Sequence, residues 1–455
     1  MNAILHDRLY DFPPNELLAR QARQESNARS YPRRLPLALK RARGIRVEDV
    51  EGRVFIDCLA GTGTLALGHN HPVVVEAMRS VLDDELPLLT LDLTTPVKDR
   101  FVQDLLSVLP PAFAAKTKIQ FCGPTGADSV EAALKLVRTA TGRRNVLAFR
   151  GAYHGMSQGA LALMGSHGPK QALDGLFTAA HFLPFPYDYR CPFGLGGEKG
   201  VEVGLHYIES LLHDPEGGVL PPAGIIVEPV QGEGGVIPAP LSWLRGLAGI
   251  ARQAGVPLIL DEIQSGFGRT GRMMAFEHAG IEPDVLVLSK AIGGSLPLSV
   301  VVYREELDSW RPGAHAGTFR GNQMAMAAGS ATLRFIREEG LPEHAAAVGE
   351  RLAAHLLALQ ERWPQIGDVR GRGLMLGVEL VDPDGTPDRQ GHPPADPELA
   401  ARQQCQCLRR GLILELGGRR GAVVRFLPPL IITAAEIDEV ARIFAAAIGA
   451  AARPA

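Results

Sequence analysis

The sequence predicts an α/β protein: a mainly parallel central sheet with helices on both faces, and a smaller α+β domain beside it. Two observations carry this reading. From about residue 85 to 335, short apolar runs alternate with longer helical patterns, as in successive βαβ units. Within that stretch two runs end in chemically unlike groups, Asp261 after VPLIL and Lys290 after DVLVLS. Parallel strands joined by a crossover place both groups at one carboxyl-terminal sheet edge, where open α/β sheets bind ligands.

Taken in order, residues 1–84 form an amino-terminal segment assigned to the small domain and a subunit interface, with GIRVEDVEGRVFIDC at 44–58 read as a hairpin around a glycine turn. Residues 85–335 form the large domain. Its candidate strands are KIQFC (118–122), NVLAF (145–149), GIIVEP (224–229), PLILDE (257–262), DVLVLS (284–289) and LSVVVY (298–303). They are continuous apolar runs, as expected of parallel strands buried on both faces. After Gly126, Val130, Ala133, Leu134 and Val137 fall at i, i+3, i+4 and i+7, which makes a helix that Gly142 stops. Residues 336–455 hold the helical run LPEHAAAVGERLAAHLLALQERW and the strand LMLGVELV. A polar, turn-forming excursion at 382–396 follows and is assigned no site.

Composition narrows the function. The chain has 455 residues, 46% hydrophobic and 21% charged, which is a globular balance. Its 47 basic and 50 acidic side chains leave a formal charge of −3, so no overall field favours nucleic acid or an acidic membrane. A small-molecule partner follows. Cys58, Cys122, Cys191, Cys405 and Cys407 are odd in number and irregularly spaced, which argues against a disulfide framework and for a reducing cytoplasm. Cys405 and Cys407 lack the further ligands a zinc site needs, so no metal is expected. No secretory leader is legible at the amino terminus, and no window approaches the ~18 apolar residues of a membrane span.

Three features bear on chemistry. Lys290 is a candidate nucleophilic amine and Asp261 a carboxylate able to keep a ring nitrogen protonated, the pair that pyridoxal phosphate requires. Taken singly, each also reads as a solvated lysine or a helix-capping acid. In GPTGADSVEAALK a glycine turn leads straight into a helix, so the free N–H groups of Gly126 and Ala127 suit a phosphate. GAYHG, after NVLAF, offers Tyr153 to stack on a ring.

Together GTGTLALGHNHP, GPTGADSVEAALK, YHG, IIVEPVQGEGG, LILDEIQSGFGRTG, LSKAIGG, GTFRGNQ and VVRFLPPLIIT, in this order from about residue 35 to 435, resemble the class III, ornithine-type aminotransferases. The resemblance implies fold type I of the pyridoxal 5'-phosphate enzymes. By motif it implies that Lys290 forms the Schiff base and shuttles the proton, and that Asp261 pairs with the ring nitrogen. Gln264 would bond the phenolic oxygen, Tyr153 stack, and Gly126 and Ala127 hold the phosphate. Thr318 would reach the neighbouring subunit's phosphate, which implies a homodimer.

The resemblance also makes Glu228 and Arg425 a switch pair. Glu228 would mask Arg425 while a terminal amine reacts and release it when a substrate carboxylate takes its place. Many relatives carry an arginine after YHG for the far carboxylate, where this chain has Met156; Arg29, Arg33 or Arg34 is a candidate substitute. ESNARSYPRRLPLALKRARG is similar to the members acting on 2,4-diaminobutyrate and 2-oxoglutarate, which implies 4-amino transfer between the two. Ornithine, 4-aminobutyrate and other diamine donors are the nearest alternatives; an aminomutase or racemase would need no oxo-acid.

Overall fold

The computed structural model describes residues 12–13, 15–173 and 180–452. The parts of the expected amino-terminal segment, large domain and carboxy-terminal domain at 1–11, 14, 174–179 and 453–455 lie outside the described residues.

Seven strands build the central sheet: β1 (Thr117–Phe121), β2 (Val146–Phe149), β3 (Ala180–Leu183), β4 (Gly224–Val227), β5 (Leu258–Asp261), β6 (Val285–Leu288) and β7 (Val300–Arg304). Their order is β1-β7-β6-β5-β4-β2-β3. From β6 through β5, β4 and β2 to β3 all pairings are parallel, whereas β7 is antiparallel to both β6 and β1. The reversal follows from chain length. Between β6 and β7 lie only residues 289–299, carrying a single short 3-10 turn, and a parallel return needs a crossover of about a dozen residues or more. Strand β3 has no counterpart in the sequence reading: AHFL is an edge segment, half-buried for most of its length, and shows no apolar run.

The apolar strands serve two cores at once. Leu286 and Leu288 of β6 face one hydrophobic cluster, and Val285 and Val287 the other. The same alternation recurs in β5, where Leu258 and Leu260 oppose Ile259. Helix α1 (Gly126–Thr141) covers the second face with Val130, Ala133, Leu134 and Val137, all buried, and ends at Gly142 with φ +69°. The first face is covered by Leu241–Gln253 and by Gln323–Glu338, which packs on Pro72–Asp83 and Pro96–Ser107.

Instead of one hairpin, the described residues of the amino-terminal part form three strands, Leu39–Arg43, Arg46–Asp49 and Val54–Asp57, and the last pairs in parallel with Leu412–Ile413. LKRAR escaped the sequence reading because its side chains are exposed and mostly charged. A second sheet places Glu415–Gly417 against Val423–Phe426, and that strand against Met375–Leu380, which also pairs with Ile366–Arg372. Among the described residues no helix is long and apolar enough to cross a membrane.

One close contact ties the first-face helices to the sheet edge. A β-carbon at Gly329 would meet the Ile292 carbonyl oxygen and the Phe101 ring, so the turn that begins at Lys290 packs directly on this helix. Gly329→Ala should destabilise the protein by about 1–3 kcal/mol in denaturant titrations, by overpacking. A loss below about 0.5 kcal/mol would show that the helix can move away.

Candidate active site

Three strand ends converge at the carboxyl edge of the sheet. Glu228 follows β4, Asp261 closes β5 and Lys290 stands two residues beyond β6. All three line one cavity of about 320 Å3, together with Gly126, Ala127, Tyr153, Met156, Glu233 and Gln264.

Lys290 adopts a left-handed backbone, φ +52°, unusual for a residue with a side chain and costly unless its surroundings enforce it. Burial lowers its pKa, so the neutral amine is more accessible than in water. Asp261 is held on both oxygens. Its Oδ2 lies 2.7 Å from His154 Nδ1, and its Oδ1 accepts the Ile263 N–H at 3.0 Å. Burial alone would lower the His154 pKa, but the hydrogen bond and charge of Asp261, aided by Glu228, raise it. His154 is a site residue that the sequence marks only by its place in YHG beside Tyr153.

At the start of α1 the Asp128 carboxylate accepts both the N–H (2.9 Å) and the hydroxyl (2.7 Å) of Thr125, which fixes the turn. The next N–H groups, on Gly126 and Ala127, have no acceptor within the helix and open on the cavity. A β-carbon at Gly126 would sit 2.7 Å from Ile263 Cδ1, so glycine is what lets these elements approach.

The expected Glu228–Arg425 pair is not formed. Both oxygens of Glu228 accept main-chain N–H groups, from Tyr153 and Gly232 at 2.9 Å each, so the turn 228–232 folds back on its own carboxylate. Burial, with repulsion from Asp261, pushes Glu228 up to about 7. Arg425, fully buried, pairs instead with Glu233 at 2.8 Å and with Glu415 at 3.4 Å. The sequence held two glutamates in EPVQGEGG; the first stands at the strand end, and only the tertiary turn brings the second to Arg425. Gln264 bridges, its Oε1 accepting from Arg425 at 3.1 Å and its Nε2 donating to the Thr62 carbonyl at 3.1 Å.

Thr318 is exposed, in the 3-10 turn Thr318–Gly321, and does not line this cavity. Met156 does, with 55% of its surface open. Arg33 and Arg34 are exposed and Arg29 half-buried, and none of the three lines it. Arg29 and Arg33 donate to carbonyls of their own segment, Ser26 and Asn27, at 3.0 Å each. What that segment sends inward is Tyr31, whose hydroxyl donates to Glu415 Oε1 at 2.8 Å.

Residues 27–448 match the family model "Aminotransferase class-III". The chain belongs to the class III aminotransferases. It is 61% identical over 94% of its length to a diaminobutyrate–2-oxoglutarate aminotransferase of Rhizobium meliloti, covering 92% of that protein. It is 52% identical over 93% to one of Haemophilus influenzae, again covering 92% of it. An amine transaminase from an uncultivated Pseudomonas species, solved in its PLP-bound form, superposes with a TM-score of 0.82 at 28% identity, covering 94% of this chain and 97% of that one. As a class III aminotransferase the protein uses pyridoxal 5'-phosphate, and the residues present fit it: a helix start bare of side chain at Gly126, a buried carboxylate at Asp261 and an amine facing the same cavity at Lys290.

The His154–Asp261 pair should show in stability against pH. A histidine whose folded pKa is raised stabilises fully below its unfolded value, ~6.5, and loses that contribution as pH climbs through the folded value. The stability gap between the wild type and Asp261→Asn should therefore be widest below about pH 6.5 and narrow above it in urea titrations. A gap that is flat or widens with pH would contradict the pairing.

Proposed function

We propose that this aminotransferase moves the 4-amino group of L-2,4-diaminobutyrate to 2-oxoglutarate, giving L-aspartate 4-semialdehyde and L-glutamate, reversibly and in ping-pong order. The observation that carries the reaction type is the single cavity shared by Lys290, Asp261 and the start of α1. The choice of substrates is supported by the relatives acting on this pair and by the acidic surroundings of Arg425.

Gly126 and Ala127 would donate N–H groups to the cofactor's phosphate, Tyr153 would stack on its ring, and Asp261 would keep negative charge beside the ring nitrogen. Gln264, with one amide N–H on Thr62, has a second to offer the phenolic oxygen. When bound, the cofactor supplies the electron sink that lets an amine substrate lose the proton beside its nitrogen. Lys290 takes up and returns that proton, and burial favours the neutral amine that can do so. Glu233 masks Arg425 while the terminal amine reacts; a substrate carboxylate then displaces it and pairs with the guanidinium. This reassigns to Glu233 the part first given to Glu228.

A homodimer is supported by the apolar surface beside Thr318. Leu88, Leu89, Leu91 and Leu93 are 42–69% exposed and Phe319 62%, the kind of patch a second copy covers. In that arrangement Thr318 serves the partner's phosphate. The division into an amino-terminal segment to 84, a large domain at 85–335 and a small domain at 336–455 is supported by the separate sheets, although Leu412–Ile413 joins the amino-terminal one. Five free cysteines, four of them buried, suit a reducing cytoplasm.

A panel of amine donors with 2-oxoglutarate, scored by glutamate and semialdehyde formed, tests the substrates: diaminobutyrate should give the highest kcat/KM, no turnover should occur without an oxo-acid, and Lys290→Ala should lower kcat by about 10³-fold or more while remaining folded. Ornithine or 4-aminobutyrate outrunning diaminobutyrate would overturn the donor, and a normally active Lys290→Ala the role of the lysine.

A further inference from the structure

Arg425 has two carboxylate partners, and the mechanism above uses only one. Glu415 faces it by backbone register: the two residues stand directly opposite in the antiparallel pair Glu415–Gly417 and Val423–Phe426. Directly opposed residues have Cβ atoms about 5 Å apart, so backbone register holds Glu415 beside Arg425, whereas Glu233 reaches it from a turn. Its carboxylate is nearly inaccessible, at 10% side-chain exposure. Tyr31 donates to Oε1 at 2.8 Å, while Oε2, buried without a hydrogen-bond donor, points at the guanidinium from 3.4 Å.

The charge count matters because burial leaves it poorly screened. With both carboxylates ionised, Glu233 and Glu415 outweigh Arg425 by one negative charge. Diaminobutyrate enters as a net cation, with two ammonium groups and one carboxylate; 2-oxoglutarate enters as a dianion. A fixed extra carboxylate behind Arg425 therefore favours the donor and opposes the acceptor. It also gives the buried guanidinium a partner during the interval when Glu233 is displaced, which avoids an uncompensated charge. Tyr31 links this device to the amino-terminal segment: burial raises the Glu415 pKa, and the Arg425 charge and the Tyr31 hydroxyl oppose that rise by favouring the ionised form.

We infer that Glu415, held by the Tyr31 hydroxyl, is a positioning residue that acts through Arg425 and sets the balance of affinity between the cationic diamine donor and the dianionic oxo-acid acceptor. This rests on the transamination proposed above and deepens it.

The test is steady-state kinetics of the holoenzyme with each substrate varied in turn. Glu415→Gln should raise the KM for diaminobutyrate and lower that for 2-oxoglutarate, each by about threefold to tenfold. Glu415→Asp should restore both toward wild type. Tyr31→Phe, at a residue 46% exposed and so tolerant of substitution, should shift both constants in the same senses by less. A purely structural role would move both constants the same way or lower kcat alone, and either result would overturn the inference, as would no change. If Glu415→Gln fails to fold, Tyr31→Phe decides by the same criterion. Failure of the underlying reaction is distinct: the wild type itself would then show no turnover with this substrate pair.

Discussion

Arg425 carries its charge with no part of its side chain open to water, and the surrounding elements are arranged to keep that charge paired. An isolated buried charge is among the most destabilising features a core can hold, whereas a paired one is tolerated. Here the pairing comes from three directions. Strand register supplies Glu415, the turn beyond β4 supplies Glu233, and the turn beyond β5 supplies Gln264. A site built this way can exchange one partner for a substrate carboxylate without exposing the arginine, provided another partner stays behind.

The same economy governs the sheet edge. Asp261 is braced by His154 and a main-chain N–H, so it stays fixed beside the cavity. Glu228, clamped by two N–H groups, closes the turn that presents Glu233 and also anchors the main chain at Tyr153. Lys290 takes a left-handed backbone conformation, and the turn it begins packs closely against Gln323–Glu338. Strain and charge thus sit on residues held by the rigid sheet, while the open side of the cavity is left to Tyr153 and Met156.

Most of this was legible from local pattern. Buried parallel strands announce themselves as apolar runs, and a helix with a glycine at each end is unmistakable, so six strands, α1 and the positions of Asp261 and Lys290 were readable from residues alone. The failures share a cause. Ala180–Leu183 is a half-buried edge and Leu39–Arg43 an exposed one, both without periodicity. The choice between Glu228 and Glu233 depends on how a five-residue turn folds back on a carboxylate, and Tyr31 reaches Glu415 across 384 positions of sequence. Neither leaves a local mark. Of the arginines beside Tyr31, Arg29 and Arg33 donate to carbonyls of their own segment.

The most direct test of partner exchange at Arg425 is a crystal structure of the holoenzyme with glutarate, an unreactive dicarboxylate, in the cavity. The account predicts one glutarate carboxylate bound to Arg425, Glu233 turned away, and Glu415 still facing the guanidinium. A structure in which Glu233 keeps its ion pair with Arg425 while glutarate binds elsewhere in the cavity would contradict it.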